Sequence, residues 1–202
     1  MRAPLIWAAL LCATLVPLLV AATSPLLQWR EPVYVAAGLA GVAALGLLLV
    51  QPMIALGWLP GATGAAGRRV HAWGGAALLA LIAAHVGGLW LSSPPDVVDA
   101  LLLRSPTPFS VWGVIAMWAA LAAALVVAAR RRLSPRVWRT AHRVLVAAVA
   151  LGTVIHALLI HGTMGTATKW MLCALVALAA GRVAWGAGRR APAFRAPGVS
   201  GP

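Results

Sequence analysis

The amino-acid sequence predicts an all-α fold, a polytopic membrane helix bundle of about six transmembrane helices with both termini in the cytoplasm. Three observations carry this. Of the 202 residues, 62% are hydrophobic and only 9% charged, too apolar for a soluble domain and in the range of a multi-pass membrane protein. Apolar stretches near the ~20 residues needed to cross the hydrocarbon recur along the chain. Lys and Arg total 16 against 3 Asp and Glu, and they gather between alternate apolar stretches, as the positive-inside bias requires.

The stretches run at about 4–22, 33–58, 69–91, 109–129, 137–160 and 168–187. The first has the form of either a signal peptide or a retained helix. Its apolar run continues from Ala3 and is long for a signal-peptide core, which favours the helix. Residues 1–32 then hold that helix and an outer loop; cleavage would leave five helices in the same orientation. The second stretch contains Gln51-Pro52, where a helix should kink or end, with Met53 to Leu59 as a short continuation. Thr107-Pro108 and Ser134-Pro135 have the cap-then-proline form that begins helices. The loops at about 59–68 and 92–108 are too short to fold alone. The tail, residues 188–202, is rich in Arg, Pro, Ala and Gly and reads as a disordered cytoplasmic segment.

Charge sets the orientation. With the N-terminus inside, thirteen basic residues face the cytoplasm, from Arg2 through the Arg130-Arg131-Arg132 run to Arg195. Only Arg30, Arg104 and Lys169 lie outside, with all three acids, Glu31, Asp96 and Asp99. Trp29, Trp58, Trp90, Trp138, Trp170 and Trp185 stand near stretch ends, as interfacial tryptophans do. A net charge of +13 in a soluble chain would suggest nucleic acid; placed between apolar stretches it points to anionic lipid head groups instead, and a nucleic-acid partner is excluded. Cys12 and Cys173 stand singly without metal-ligand spacing. Gly61-Ala-Thr-Gly64 lacks the Lys-Ser/Thr of a phosphate loop.

The five histidines carry the chemistry. His71 and His85 lie on the third stretch, fourteen residues apart, and His142 and His156 on the fifth, also fourteen apart. Fourteen residues return a helix to within ~40° of its starting face after a ~21 Å rise. The third and fifth stretches cross in the same direction, so His71 and His142 share a cytoplasmic-side level and His85 and His156 an outer level. Two level-matched imidazole pairs can ligate two haems stacked across a bilayer. An unpartnered imidazole at the depth of His85 and His156 is otherwise costly, whereas His71 and His142 lie near the water boundary and also read as interfacial. Gly74, Gly75, Gly87, Gly88 and Gly152 lie near these histidines, where small residues admit a flat macrocycle or serve helix packing. Arg68, Arg69, Arg139 and Arg143 flank the inner pair, either to hold haem propionates or as positive-inside charge alone. His161, five residues after His156, lies ~140° around a continued helix, so it reads as interfacial rather than as a ligand.

At these residues a family resemblance emerges. Gly67-Arg-Arg-Val-His-Ala-Trp-Gly-Gly75 through His85 resembles the ferric reductase-like transmembrane domain. So does Trp138-Arg-Thr-Ala-His-Arg143 through His156-Ala-Leu-Leu-Ile-His-Gly162. The Trp-Arg-x-x-His-Arg opening of the fifth helix is the more specific part, and the resemblance covers about residues 33–187. The superfamily includes ferric reductases, NADPH oxidases and the haem-binding membrane subunit of a bacterial methionine sulfoxide reductase system. The resemblance implies b-type haem on His71 and His142 at the inner level and on His85 and His156 at the outer. Many relatives carry an aromatic residue soon after the His-Arg pair, where this chain has Val144-Leu-Val146. Full-length ferric reductases and NADPH oxidases continue into flavin and nicotinamide domains, and this chain ends shortly after its last helix, so flavin or quinol is expected only through a partner.

The resulting expectation is electron transfer across the cell (inner or plasma) membrane. Bis-histidine iron has no open position and passes electrons rather than binding oxygen. A flavoprotein or quinol donor on the cytoplasmic side would feed an outer acceptor, ferric iron or a periplasmic redox partner. The alternatives are a quinol-linked cytochrome b subunit of a larger complex and a haem-free membrane anchor or assembly protein.

Overall fold

A computed structural model describes residues 2–188; the tail expected to be disordered lies outside the described residues from 189 onward. The described residues form helices α1 (Arg2–Ala22), α2 (Pro32–Ala55), α3 (Gly64–Ser92), α4 (Pro94–Leu101), α5 (Pro108–Ala128), α6 (Pro135–Leu159) and α7 (Thr166–Gly188). Six of these are long and apolar enough to cross a membrane. The short α4 was not anticipated; it starts on Pro94-Pro95, which prolines permit in a first turn.

Local sequence explains most boundaries. Ser134 accepts a hydrogen bond from the Val137 amide at 3.3 Å and opens α6 just before Pro135. Thr107 precedes Pro108, but its hydroxyl pairs with Ser105 and Ser110 instead of capping α5. Pro52 does not stop α2 at once: the helix carries on to Ala55 and ends within a turn of the proline. The third span begins earlier than hydropathy suggests, at Gly64, so Arg68 and Arg69 are helical. Gly67 permits that start, because a β-carbon there would collide with the Ala62 carbonyl.

Packing divides the bundle into two hairpins joined by a strut. α2 packs along α3, and α5 along α6. α7 lies between α6 and α2, with α1 against both α2 and α7. The face of α7 that does this joining, Leu172, Cys173, Val176 and Ala179, is almost wholly buried. It meets Leu45, Leu48 and Leu49 of α2 and Val149 and Ala150 of α6 in one core. The α5–α6 contact is built from small residues, Ala116, Ala119, Ala120 and Ala123 against Gly152, which brings the two backbones together. A β-carbon on Gly152 would stand 3.0 Å from the Trp112 carbonyl oxygen. By contrast α3 and α6 hardly approach each other's backbones. Of the end tryptophans, Trp29, Trp58, Trp90, Trp170 and Trp185 are exposed, as an aromatic belt requires.

Candidate functional site

The four level-matched histidines converge across the gap between α3 and α6. The rings of His71 and His142 have centroids 6.5 Å apart and planes 81° apart. Those of His85 and His156 lie 6.4 Å apart, with planes at 79°. Sequence spacing anticipated both pairings. All four rings are partly buried.

At the His85–His156 level each ring is held by the neighbouring helix of its own hairpin. His85 Nδ1 lies 2.8 Å from the backbone carbonyl oxygen of Ala37 on α2. His156 Nδ1 lies 2.8 Å from that of Phe109 on α5. A carbonyl can only accept, so Nδ1 carries the proton in both and donates it, leaving the Nε2 lone pair free. This is the arrangement by which a second shell orients a metal-binding imidazole. The Phe109 ring adds an edge contact to His156, with centroids 5.7 Å apart.

The His71–His142 level is held differently. Nδ1 of both rings is buried without a hydrogen-bond partner. His71 lies near the Gln51 backbone carbonyl, short of good hydrogen-bond geometry, and Trp138 stands beside His142 with ring centroids 6.5 Å apart. The Gln51 side chain is also buried, and its amide nitrogen lies unpaired against Gly74. Arg68, Arg69, Arg139 and Arg143 are exposed at this end of the two helices. Arg143 Nε donates back to the Arg139 carbonyl at 3.1 Å, and the Arg139 guanidinium lies 5.9 Å from the Trp138 ring centre.

These dimensions test what the pairs could hold. Two imidazoles on opposite sides of one metal, at bonds of ~2.0–2.1 Å, place their ring centres about 6.4 Å apart, which both pairs match. Among the described residues no group of three or more His, Cys, Asp or Glu could hold a metal ion. A structural zinc ion needs about four protein ligands. A metal bound by a pair must therefore take its other ligands from elsewhere, as haem iron does from its macrocycle. The donor set, the gap width and the separation of the two helices all fit haem.

Other expectations fared unevenly. Gly74, Gly88 and Gly152 serve packing: their missing β-carbons make room for Gln51, for Ala37 and for the α5 backbone. Gly75 and Gly87 face open space. His161 is exposed and lies beyond the end of α6 at Leu159, so the helical-angle argument does not apply to it. Lys169, read only as an outer charge, reaches back to the end of α6, donating from Nζ to the Ile160 carbonyl at 2.6 Å. Sequence reasoning missed Ala37, Phe109, Gly41 and Gly113. No sequence signal marks them, since every residue has a carbonyl and other glycines that meet no ring, Gly38 and Gly46, lie on α2 beside Gly41.

A family model, the ferric reductase like transmembrane component, matches residues 37–153. That interval holds α3, α5, most of α2 and α6, and three of the four paired histidines, stopping just before His156. No curated protein and no solved structure matches the chain.

Proposed function

The chain belongs to the ferric reductase like transmembrane component family, and on that premise we propose that it carries electrons across a membrane through two b-type haems. The observation that carries this reading is the pair of matched ring separations, 6.5 and 6.4 Å, each wide enough for two imidazoles to share one metal ion. His71 and His142 would hold the inner haem, and His85 and His156 the outer one. Bound there, haem would supply one-electron transfer.

The protein's own residues do the rest. The Ala37 and Phe109 carbonyls fix the tautomer and aim of the outer pair. The backbones of α2 and α5 shield those rings from one side and keep water away. Arg68, Arg69, Arg139 and Arg143 offer guanidinium groups to carboxylates at the cytoplasmic end. The basic residues set this orientation, thirteen inside against three outside, in the inner or plasma membrane. The donor is a cytoplasmic-side flavoprotein or quinol, and the acceptor is ferric iron or an outer redox partner.

A second reading, a quinol-linked cytochrome b subunit, draws on an open face of α6 beside His142. Arg136 and Thr140 line it together with Val137, Ala141, Val144 and Leu145, one residue away from His142. An amphipathic quinol has a polar head and an apolar tail for such a surface.

A pyridine haemochrome assay on the purified protein tests the main reading. Two b-type haems per chain are expected; one or none overturns it. Reduction by a quinol but not by a flavoprotein would select the second reading.

A further inference from the structure

Gly41 and Gly113 stand out among the glycines of this chain because each abuts a histidine ring. A β-carbon built on Gly41 would lie 2.9 Å from His85 Nδ1 and 3.1 Å from Cε1. On Gly113 it would lie 2.7 Å from His156 Nδ1 and 2.8 Å from Cε1. Carbon cannot approach these ring atoms so closely, so any other residue displaces the ring. The displaced ring has little freedom, because its Nδ1 is tied to a carbonyl of the same neighbouring helix, one turn before the glycine. Carbonyl and glycine together form a slot: the first draws the Nδ1 edge in, and the second leaves room for it.

The slot occurs twice, in the same order. Ala37 and Gly41 on α2 receive His85 of α3, and Phe109 and Gly113 on α5 receive His156 of α6. Two hairpins with different side chains around them thus place an imidazole by one device, at one level. Gly74, although close to the other level, meets the Gln51 side chain and no ring.

We propose that Gly41 and Gly113 are positioning residues of the outer iron site, setting how far His85 and His156 extend toward the metal. The inference rests on the reading of the histidine pairs as haem ligands. A methyl group at either position moves the ring edge by several tenths of an ångström or turns it off its carbonyl. Metal–nitrogen bonds tolerate little of that, and loss of an orienting partner alone typically weakens metal binding 10- to 100-fold. The inner pair has no such contact and should be unaffected.

The test uses the full chain purified in detergent, with Gly41→Ala and Gly113→Ala beside three controls. Gly38→Ala, on the same helix as Gly41, and Gly181→Ala meet open space, while Gly46→Ala presses on Thr14 of α1 without touching a ring. Haem content and the low-spin ferric resonance spectrum are read for each. In Gly41→Ala and Gly113→Ala the outer haem's signal is lost or shifted and the inner haem's is unchanged. The controls keep both signals. Should the two variants fold poorly, each is rebuilt in the background lacking the ring it meets, Gly41→Ala with His85→Ala and Gly113→Ala with His156→Ala. Removing the ring should abolish the glycine variant's loss of thermal stability, the coupling expected of two residues in contact. Wild-type signals in both glycine variants, equal outer-haem loss in Gly46→Ala, or absence of that coupling overturns the inference alone. A wild type without haem overturns the reading of the pairs as ligands, and this inference with it.

Discussion

Replacing His85 or His156 by Ala separates folding from haem binding, and the structure gives a size for each effect. On the folding side the imidazole contributes one hydrogen bond of 2.8 Å, to Ala37 or to Phe109. Its net worth is about 0.5–1.5 kcal/mol. The acceptor is a helix carbonyl that retains its own α-helical partner, so truncation orphans no backbone group. The rings are also only partly buried, and Val149, Leu172 and Val176 of the main core do not depend on them. The bundle therefore survives, with a stability loss of about 1 kcal/mol apart from any share contributed by bound haem. On the binding side an iron held by the pair would lose one of its two protein ligands, and no other His, Cys, Asp or Glu among the described residues groups with the remaining one. Haem content should fall from two to one per chain. The assay is pyridine haemochrome content normalised to protein, run beside a thermal melt of the detergent-solubilised protein. His161→Ala, altering an exposed loop residue, should retain both haems. Full haem retention in His85→Ala and His156→Ala, or equal loss in His161→Ala, would refute the ligand assignment.

Three other outcomes follow from the same geometry and charge. The ring planes of the two pairs cross at 81° and 79°, so both ferric haems should give the highly anisotropic low-spin resonance of near-perpendicular imidazoles; rhombic spectra typical of parallel rings would contradict it. A reporter fused after Pro202 should be active only in the cytoplasm, given the basic bias toward that side, and periplasmic activity would reverse the proposed orientation. The purified chain should show no haem reduction by NADPH alone, since no Gly-rich dinucleotide fingerprint is present in its sequence. Dithionite should reduce both haems and ferric chelate reoxidise them; rapid reduction by NADPH alone would reveal a nicotinamide or flavin site.

One-dimensional periodicities are legible in the residues before any packing is known. Helix spans follow from apolar length against a fixed hydrocarbon thickness, because every backbone group in lipid must be satisfied within its own helix. The histidine levels follow from helical pitch: fourteen residues bring His71 and His85 to one face, and His142 and His156 to another. Two parallel spans then align the levels without knowledge of packing. Tertiary structure alone decided which helix stands behind each ring. The Ala37 and Phe109 carbonyls are invisible in sequence because every residue has a carbonyl. Gly41 is distinguished from Gly38 only by the ring that α3 lays against it; a β-carbon on Gly38 would meet nothing. In sequence Gly88 and Gly152 are open both to a macrocycle and to packing, and only the structure decides for helix contacts, since a missing side chain does not say which neighbour fills the space. Local pattern sets which face a residue occupies, and only the approach of a second helix sets what that face meets.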